Sequence, residues 1–193
     1  MLKLLWIAIL VVVVDQISKL VAVKYLTAHT IEVMPFFNLK LVFNSGAAFG
    51  FLSGASGWQN FLFAIIALIV SVVVIVMARR LDTRDTQMAI GLMLVLGGAL
   101  GNLFDRVRLQ SVVDFFDFYF KSWPSFDVPV LDLVYCHLAN SRGDWHAYAN
   151  EAFHCHWPVF NVADSAISIG AVLLVLDALG VGFRKRHSSQ RTL

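Results

Sequence analysis

A helical membrane protein of four spans, with a small sheet outside the bilayer, is the fold that the sequence predicts. Three observations predict it. Hydrophobic residues make up 59% of the 193 and charged residues only 15%, with a mean hydropathy of +0.73, too apolar for a soluble domain and too short for several domains. Windows apolar enough to cross a hydrocarbon core of ~30 Å recur at 4–23, 58–77, 88–104 and 162–183. Between the first two, Phe37, Leu39, Leu41 and Phe43 alternate with Asn38, Lys40 and Asn44, the period-two pattern of a half-buried strand.

The first span could pass for a secretory signal, since Lys3 precedes an apolar run. No small-residue cleavage site follows, and Asp15 and Lys19 arrive where the core of a signal would still be running, so a retained helix is expected. Four spans put both termini on one side. Lys3, the cluster Arg79, Arg80 and Arg84, and the tail with Arg184, Lys185, Arg186 and Arg191 mark that side as cytoplasmic, because short basic segments beside span ends stay inside. A net charge of +2 without a basic stripe gives a nucleic-acid surface little support. Trp6, Trp58, Trp123 and Trp157 fall near span ends and read as interfacial anchors.

The stretch that organises the chain is 97–118, GGALGNLFDRVRLQSVVDFFDF. Gly97 and Gly101 have the small-xxx-small spacing that lets helices approach backbone to backbone. Beyond them stand Asn102, Asp105 and Arg106, then Asp114. A charged group near hydrocarbon is disfavoured by roughly 3 kcal/mol or more, so an ionisable cluster at a span end is a functional-site hypothesis. With a rise of about 1.5 Å per residue, Asp15 lies towards the outer end of the first span, Asn102 and Asp105 end the third, and Asn161 and Asp164 begin the fourth. These stretches, with Asn44 and Gly46 after the strand, converge at the outer leaflet boundary.

The acids differ in what lies near them. Asp15 and Lys19 are four apart on one helical face and can neutralise one another. Asp105 has Arg106 and Arg108 close by. Asp114 and Asp164 have no basic residue within four positions. Two carboxylates brought together without a cation cannot both ionise comfortably, so such a pair shares a proton, and one can act as base on water while the other polarises a carbonyl. Plainer readings stand beside this one. Asn161 with Asp164 also fits an N-cap and a first-turn acid, Asp114 fits a solvated loop acid, Asp15 with Lys19 fits a buried structural pair, and Asp177 suits the basic tail.

The motifs Asp15-Gln16-x-x-Lys19, Asn44-x-Gly46-Ala47-Ala48-Phe49, Gly101-Asn102-x-x-Asp105-Arg106, Val112-Val113-Asp114-Phe115 and Phe160-Asn161-x-Ala163-Asp164 occur in this order over most of the chain. In them the sequence resembles the lipoprotein signal peptidases (signal peptidase II), bacterial inner-membrane aspartic proteases. The resemblance implies four transmembrane helices, an outer-surface β-cradle and a periplasmic lid, with the active site on the periplasmic side. It implies a catalytic dyad of Asp114 and Asp164, substrate-binding or dyad-orienting roles for Asn44, Gly46, Asn102, Asp105, Arg106 and Asn161, and a stabilising role for Asp15 and Lys19. No metal or other cofactor is implied. The partners implied are prolipoproteins already bearing diacylglycerol on a Cys, cleaved just before it, together with membrane lipid. Cyclic peptide antibiotics of the globomycin type are the implied inhibitors, and the enzyme would be a monomer. The segment 121–157 is longer than the family pattern leads one to expect between the dyad motifs.

Two other functions are open to a four-span protein. A small proton-coupled transporter would use the same carboxylates but calls for acids near the midplane and an internal repeat, neither of which is evident. A purely structural protein leaves Asp114 and Asp164 without purpose. In the long outer segment, Cys136 and Cys155 are expected to form a disulfide in an oxidising compartment, with free thiols, or a zinc site drawing on His137, His154 or His156, as the alternatives.

Overall fold

The computed structural model describes residues 2–46, 57–82, 85–121 and 154–181. In chain order these form a short 3-10 turn at Leu2–Leu4, helix α1 (Leu5–Leu26), strands β1 (Ile31–Met34) and β2 (Phe37–Asn44), helices α2 (Trp58–Arg80) and α3 (Thr86–Leu109), strands β3 (Val112–Lys121) and β4 (His154–His156), and helix α4 (Val162–Ala178). Helices α1, α2 and α3 are long and apolar enough to cross a membrane, and the protein is a multi-pass membrane protein. The fourth expected span is also a helix, of 17 residues. It stops at Ala178 although the apolar run continues to 183, because Gly180 adopts φ 75°. There the Gly180 N–H donates to the Asp177 carbonyl and the Val181 N–H to that of Leu176, the left-handed cap that closes a helix C-terminus.

Two compact units divide the chain. One comprises residues 1–15, 65–104 and 162–193. Its core is the buried set Ala8, Val74, Ala78, Leu92, Met93 and Leu96, while Trp6, Ile9, Leu10, Ile69, Val72 and Val172 are exposed. A surface this apolar suits a hydrocarbon solvent. Since lipid tails give apolar side chains no reason to leave them, cohesion depends on close packing instead. The glycines of α3 supply it. A Cβ on Gly97 would meet Val11 Cβ at 2.7 Å and the Ala8 carbonyl oxygen at 2.8 Å. On Gly98 it would collide with the Ala163 carbonyl oxygen, and Gly91 and Gly170 face each other across α3 and α4. The expected Gly97 and Gly101 pair is thus half of a longer series that contacts both α1 and α4. At the far end of α3, the buried Gln87 donates from Nε2 to the Leu173 and Val181 carbonyls, 3.2 Å each, tying the capped end of α4 to α3.

The other unit comprises residues 16–64 and 105–161. Its sheet has the order β1-β2-β3-β4, antiparallel throughout. The strand read from alternation is β2; β3 carries the expected VVDF motif and is a second, longer strand. Phe37 pairs with Phe118, Val42 with Asp114 and Asn44 with Val112, with an irregularity between Leu39 and Val42. Phe37 and Phe118 pack with ring centroids 4.6 Å apart, and Phe160 stacks on Phe118 at 5.8 Å. Alternation failed to announce β3 because Val112, Val113, Asp114 and Phe115 are all buried, and a strand covered on both faces loses its period. The expected outer loop at 119–157 begins and ends as sheet, in β3 and β4. The expected lid, Cys136 and the side chain of Cys155 lie outside the described residues.

A Cβ at Gly98 has backbone against it and cannot be relieved by a side-chain rotation. Gly98→Ala is therefore expected to destabilise the helical unit by roughly 1–3 kcal/mol, the usual range for overpacking. Thermal unfolding of the detergent-solubilised protein measures this, and an unchanged transition would mean that α3 and α4 do not depend on that contact.

Candidate active site

Asp15, Asp105, Asp114 and Asp164 each accept hydrogen bonds from distant parts of the chain. Asp15 is fully buried within α1. Its Oδ1 accepts the Ala163 N–H at 2.9 Å, so it caps the first turn of α4, where the backbone donors lack intrahelical partners and negative charge is favoured. A Cβ on Gly101 would lie 2.7 Å from Asp15 Oδ2, which explains why a glycine stands there: the carboxylate needs the space.

Asp164, the third residue of α4, is half-buried. Its Oδ1 accepts from Asn102 Nδ2 at 2.8 Å. Asn102 belongs to α3 and Asp164 to the first turn of α4, so this hydrogen bond ties the two helices together at this end.

In the sheet-bearing unit, Asp105 and Lys19 form a buried ion pair, Nζ to Oδ2 at 2.8 Å, with side chains 3% and 4% exposed. Asp105 also accepts from Gln16 Nε2 at 3.0 Å and from the Val113 N–H at 3.2 Å. The sequence placed Arg106 and Arg108 close to Asp105; the cation paired with it is Lys19, and for Arg106 the reason is geometric. Adjacent residues on a helix point in different directions, so Arg106 turns away from its neighbour. Its Nη2 donates to the Gly46 carbonyl at 3.2 Å, and its guanidinium carbon lies 5.2 Å from the centroid of Phe63.

Asp114 is 1% exposed, which sets aside the solvated loop acid. Both of its oxygens accept from amides: Oδ1 from Asn161 Nδ2 at 2.7 Å and Oδ2 from Asn44 Nδ2 at 2.9 Å. Local structure aims both. Asn44 ends β2, and its Oδ1 accepts the Gly46 N–H at 3.0 Å, an Asx turn that fixes the amide plane. Asn161 follows Phe160, whose backbone is held on β3 by the Phe115 and Phe116 N–H groups, at 3.1 and 2.8 Å. Asn161 donates also to the Val113 carbonyl at 3.2 Å. Asn161 precedes α4 where an N-cap residue would stand, and its Nδ2 is directed to Asp114.

Three groups escaped the sequence reading. Gln16 stood inside a quoted motif but was given no role. Asn60 donates from Nδ2 to the Arg106 carbonyl at 3.2 Å, and Phe63 lies against the Arg106 guanidinium. An amide pair, Gln59 and Asn60, at the head of an otherwise apolar helix was the available signal. Among the described residues no cluster of His, Cys, Asp and Glu could hold a metal ion.

A family model described as signal peptidase (SPase) II matches residues 7–180. Proteins named lipoprotein signal peptidase are similar over nearly the whole chain. That of Pseudomonas fluorescens is 42% identical over 90% of this chain and 85% of its own length. That of Pseudomonas aeruginosa is 41% identical over 96% and 90%, and that of Coxiella burnetii 37% identical over 91% and 88%. Among solved structures, a bacterial membrane enzyme determined by the in meso method is similar with a TM-score of 0.63 and 28% identity, covering 91% of this chain and 86% of that one.

Removing one member of a buried ion pair leaves the other charge uncompensated, which typically costs about 3–5 kcal/mol. Lys19→Met is expected to lose stability on that scale, and Lys19→Met with Asp105→Asn to recover at least half, since the asparagine keeps an acceptor for the Val113 N–H. Denaturant unfolding in detergent reads both. A single variant as stable as the parent would show that the pair is not what holds this end of α3.

Proposed function

Because the chain belongs to the signal peptidase II family, we propose that it is the membrane endopeptidase that removes the signal peptide from diacylglyceryl-modified prolipoproteins, using Asp114 and Asp164 as one catalytic pair. The observation that carries this reading is that asparagine amides orient both acids. Asp114 and Asp164 are held by the amides of Asn44, Asn161 and Asn102, which orient a carboxylate without adding a charge.

In the proposed reaction one aspartate, ionised, takes a proton from water as its oxygen attacks the carbonyl carbon of the residue before the lipidated Cys. The other, protonated, donates to the carbonyl oxygen, giving a neutral tetrahedral diol. Collapse of that diol returns a proton to the second aspartate and breaks the C–N bond, while the first gives its proton to the Cys amine that leaves. The bond lies between an apolar signal helix and two acyl chains, so a site at the leaflet boundary gives water access that mid-membrane would not. The proposed setting is the bacterial inner membrane, with the site on the periplasmic side and both termini cytoplasmic. Lys3 before α1 and Arg79 and Arg80 at the end of α2 support that orientation.

Asp114→Asn and Asp164→Asn are each expected to reduce cleavage of a lipidated precursor by the purified protein to background while leaving it folded, with the double variant no worse than either, as for groups that act together. Substantial turnover by either single variant would sink the assignment. Arg106→Lys is expected to lose most of the activity despite keeping its charge, because an ammonium does not reproduce the planar fork; parental turnover would reduce the role of Arg106 to charge alone.

A further inference from the structure

We infer that Asn60 and Phe63, one turn apart on α2, are positioning residues for the proposed cleavage: they set the Arg106 guanidinium on the Gly46 peptide and, through it, the Asn44 amide on Asp114. This rests on the catalytic role proposed for Asp114. The contacts form one continuous series. Phe63 lies under the Arg106 guanidinium at 5.2 Å, within the ~6 Å reach of a cation–π contact. Arg106 Nη2 donates to the Gly46 carbonyl at 3.2 Å. Gly46 in turn donates its N–H to Asn44 Oδ1 at 3.0 Å, and Asn44 Nδ2 donates to Asp114 Oδ2 at 2.9 Å.

Asn60 holds the same arginine by its backbone, with Nδ2 on the Arg106 carbonyl at 3.2 Å. That carbonyl already accepts the Gln110 N–H at 3.1 Å, the bond that ends α3, with Gln110 at φ 56°. The helix end therefore has its hydrogen bond without Asn60. What the amide adds is position: it fixes the Arg106 backbone from one side while Phe63 fixes the guanidinium from another. Residues three apart share a helix face, so a single turn of α2 supplies both. An amide at the head of an apolar membrane helix is disfavoured unless it has such a partner.

The test compares kcat and KM on a fluorogenic peptide carrying a diacylglyceryl-Cys. Phe63→Leu keeps the bulk and removes the quadrupole, and is expected to lower kcat by about 3- to 30-fold, the span of cation–π contacts from exposed to desolvated, with KM nearly unchanged. Phe63→Trp is expected to retain most of the turnover. Asn60→Leu, which suits an apolar helix and guards against a failure of Phe63→Leu to fold, is expected to lower kcat about threefold, as a modest hydrogen bond does. In an Arg106→Lys background neither change is expected to add to the loss, whereas a merely structural role would add in full. Parental kcat in both Phe63→Leu and Asn60→Leu, a tryptophan variant no better than leucine, or additive losses would each overturn the inference. Measuring Asp114→Asn alongside separates the two claims: an active Asp114→Asn overturns the peptidase reading, whereas an inactive one beside fully active α2 variants overturns only this inference.

Discussion

A carboxylate withdrawn from water has to be met by a donor or a cation, and this constraint shapes the polar part of the molecule. Four aspartates meet it in different ways. Asp15 takes the backbone N–H of Ala163 at the start of α4. Asp105 takes Lys19, together with Gln16 and the Val113 N–H. Asp164 takes Asn102, and Asp114 takes Asn44 and Asn161. Each solution ties together elements distant in sequence: α1 to α4, α1 to α3 and β3, α3 to α4, and β2 and β3 to the segment entering α4. Hydrocarbon supplies no driving force for bringing apolar helices together, so the satisfaction of buried polar groups becomes part of what specifies the fold.

The second ingredient is the absence of side chains. Asp15 can cap α4 only because Gly101 leaves room for its Oδ2, and the same α3 helix carries Gly97 against Ala8 and Val11 and Gly98 against Ala163. Gly91 and Gly170 repeat the device one end further on. A bulkier α3 would push α4 outward and withdraw the Ala163 N–H from Asp15, so close packing and polar satisfaction are one arrangement.

Much of this was legible in the sequence, and the remainder was hidden for physical reasons. The helices follow from apolar length, β2 from its alternation, and the small-residue face of α3 from Gly97 and Gly101. The polar residues were found because each is expensive beside hydrocarbon, so their presence is informative without knowing their contacts. Partners were harder. Arg106 is next to Asp105 in sequence, yet Lys19, 86 residues earlier, is the cation that reaches it, since adjacency along a helix is not adjacency in space. β3 was masked by its own burial on both faces. Asn60 and Phe63 carry no motif, and only their common face with Arg106 gives them meaning.

The difference between lysine and asparagine as a partner bears on the proposed chemistry. A unit positive charge beside a carboxylate favours its ionised form. A lysine beside a catalytic aspartate would therefore hold it ionised through the whole cycle and prevent the exchange of roles that water activation requires. An amide N–H holds the carboxylate in place more gently, and an Asn side chain also has an oxygen with which to accept if a proton arrives. Asp105, whose task is to fix the end of α3 against β3, is served by a cation. Asp114, to which the proposed mechanism assigns a proton that comes and goes, accepts from the amides of Asn44 and Asn161.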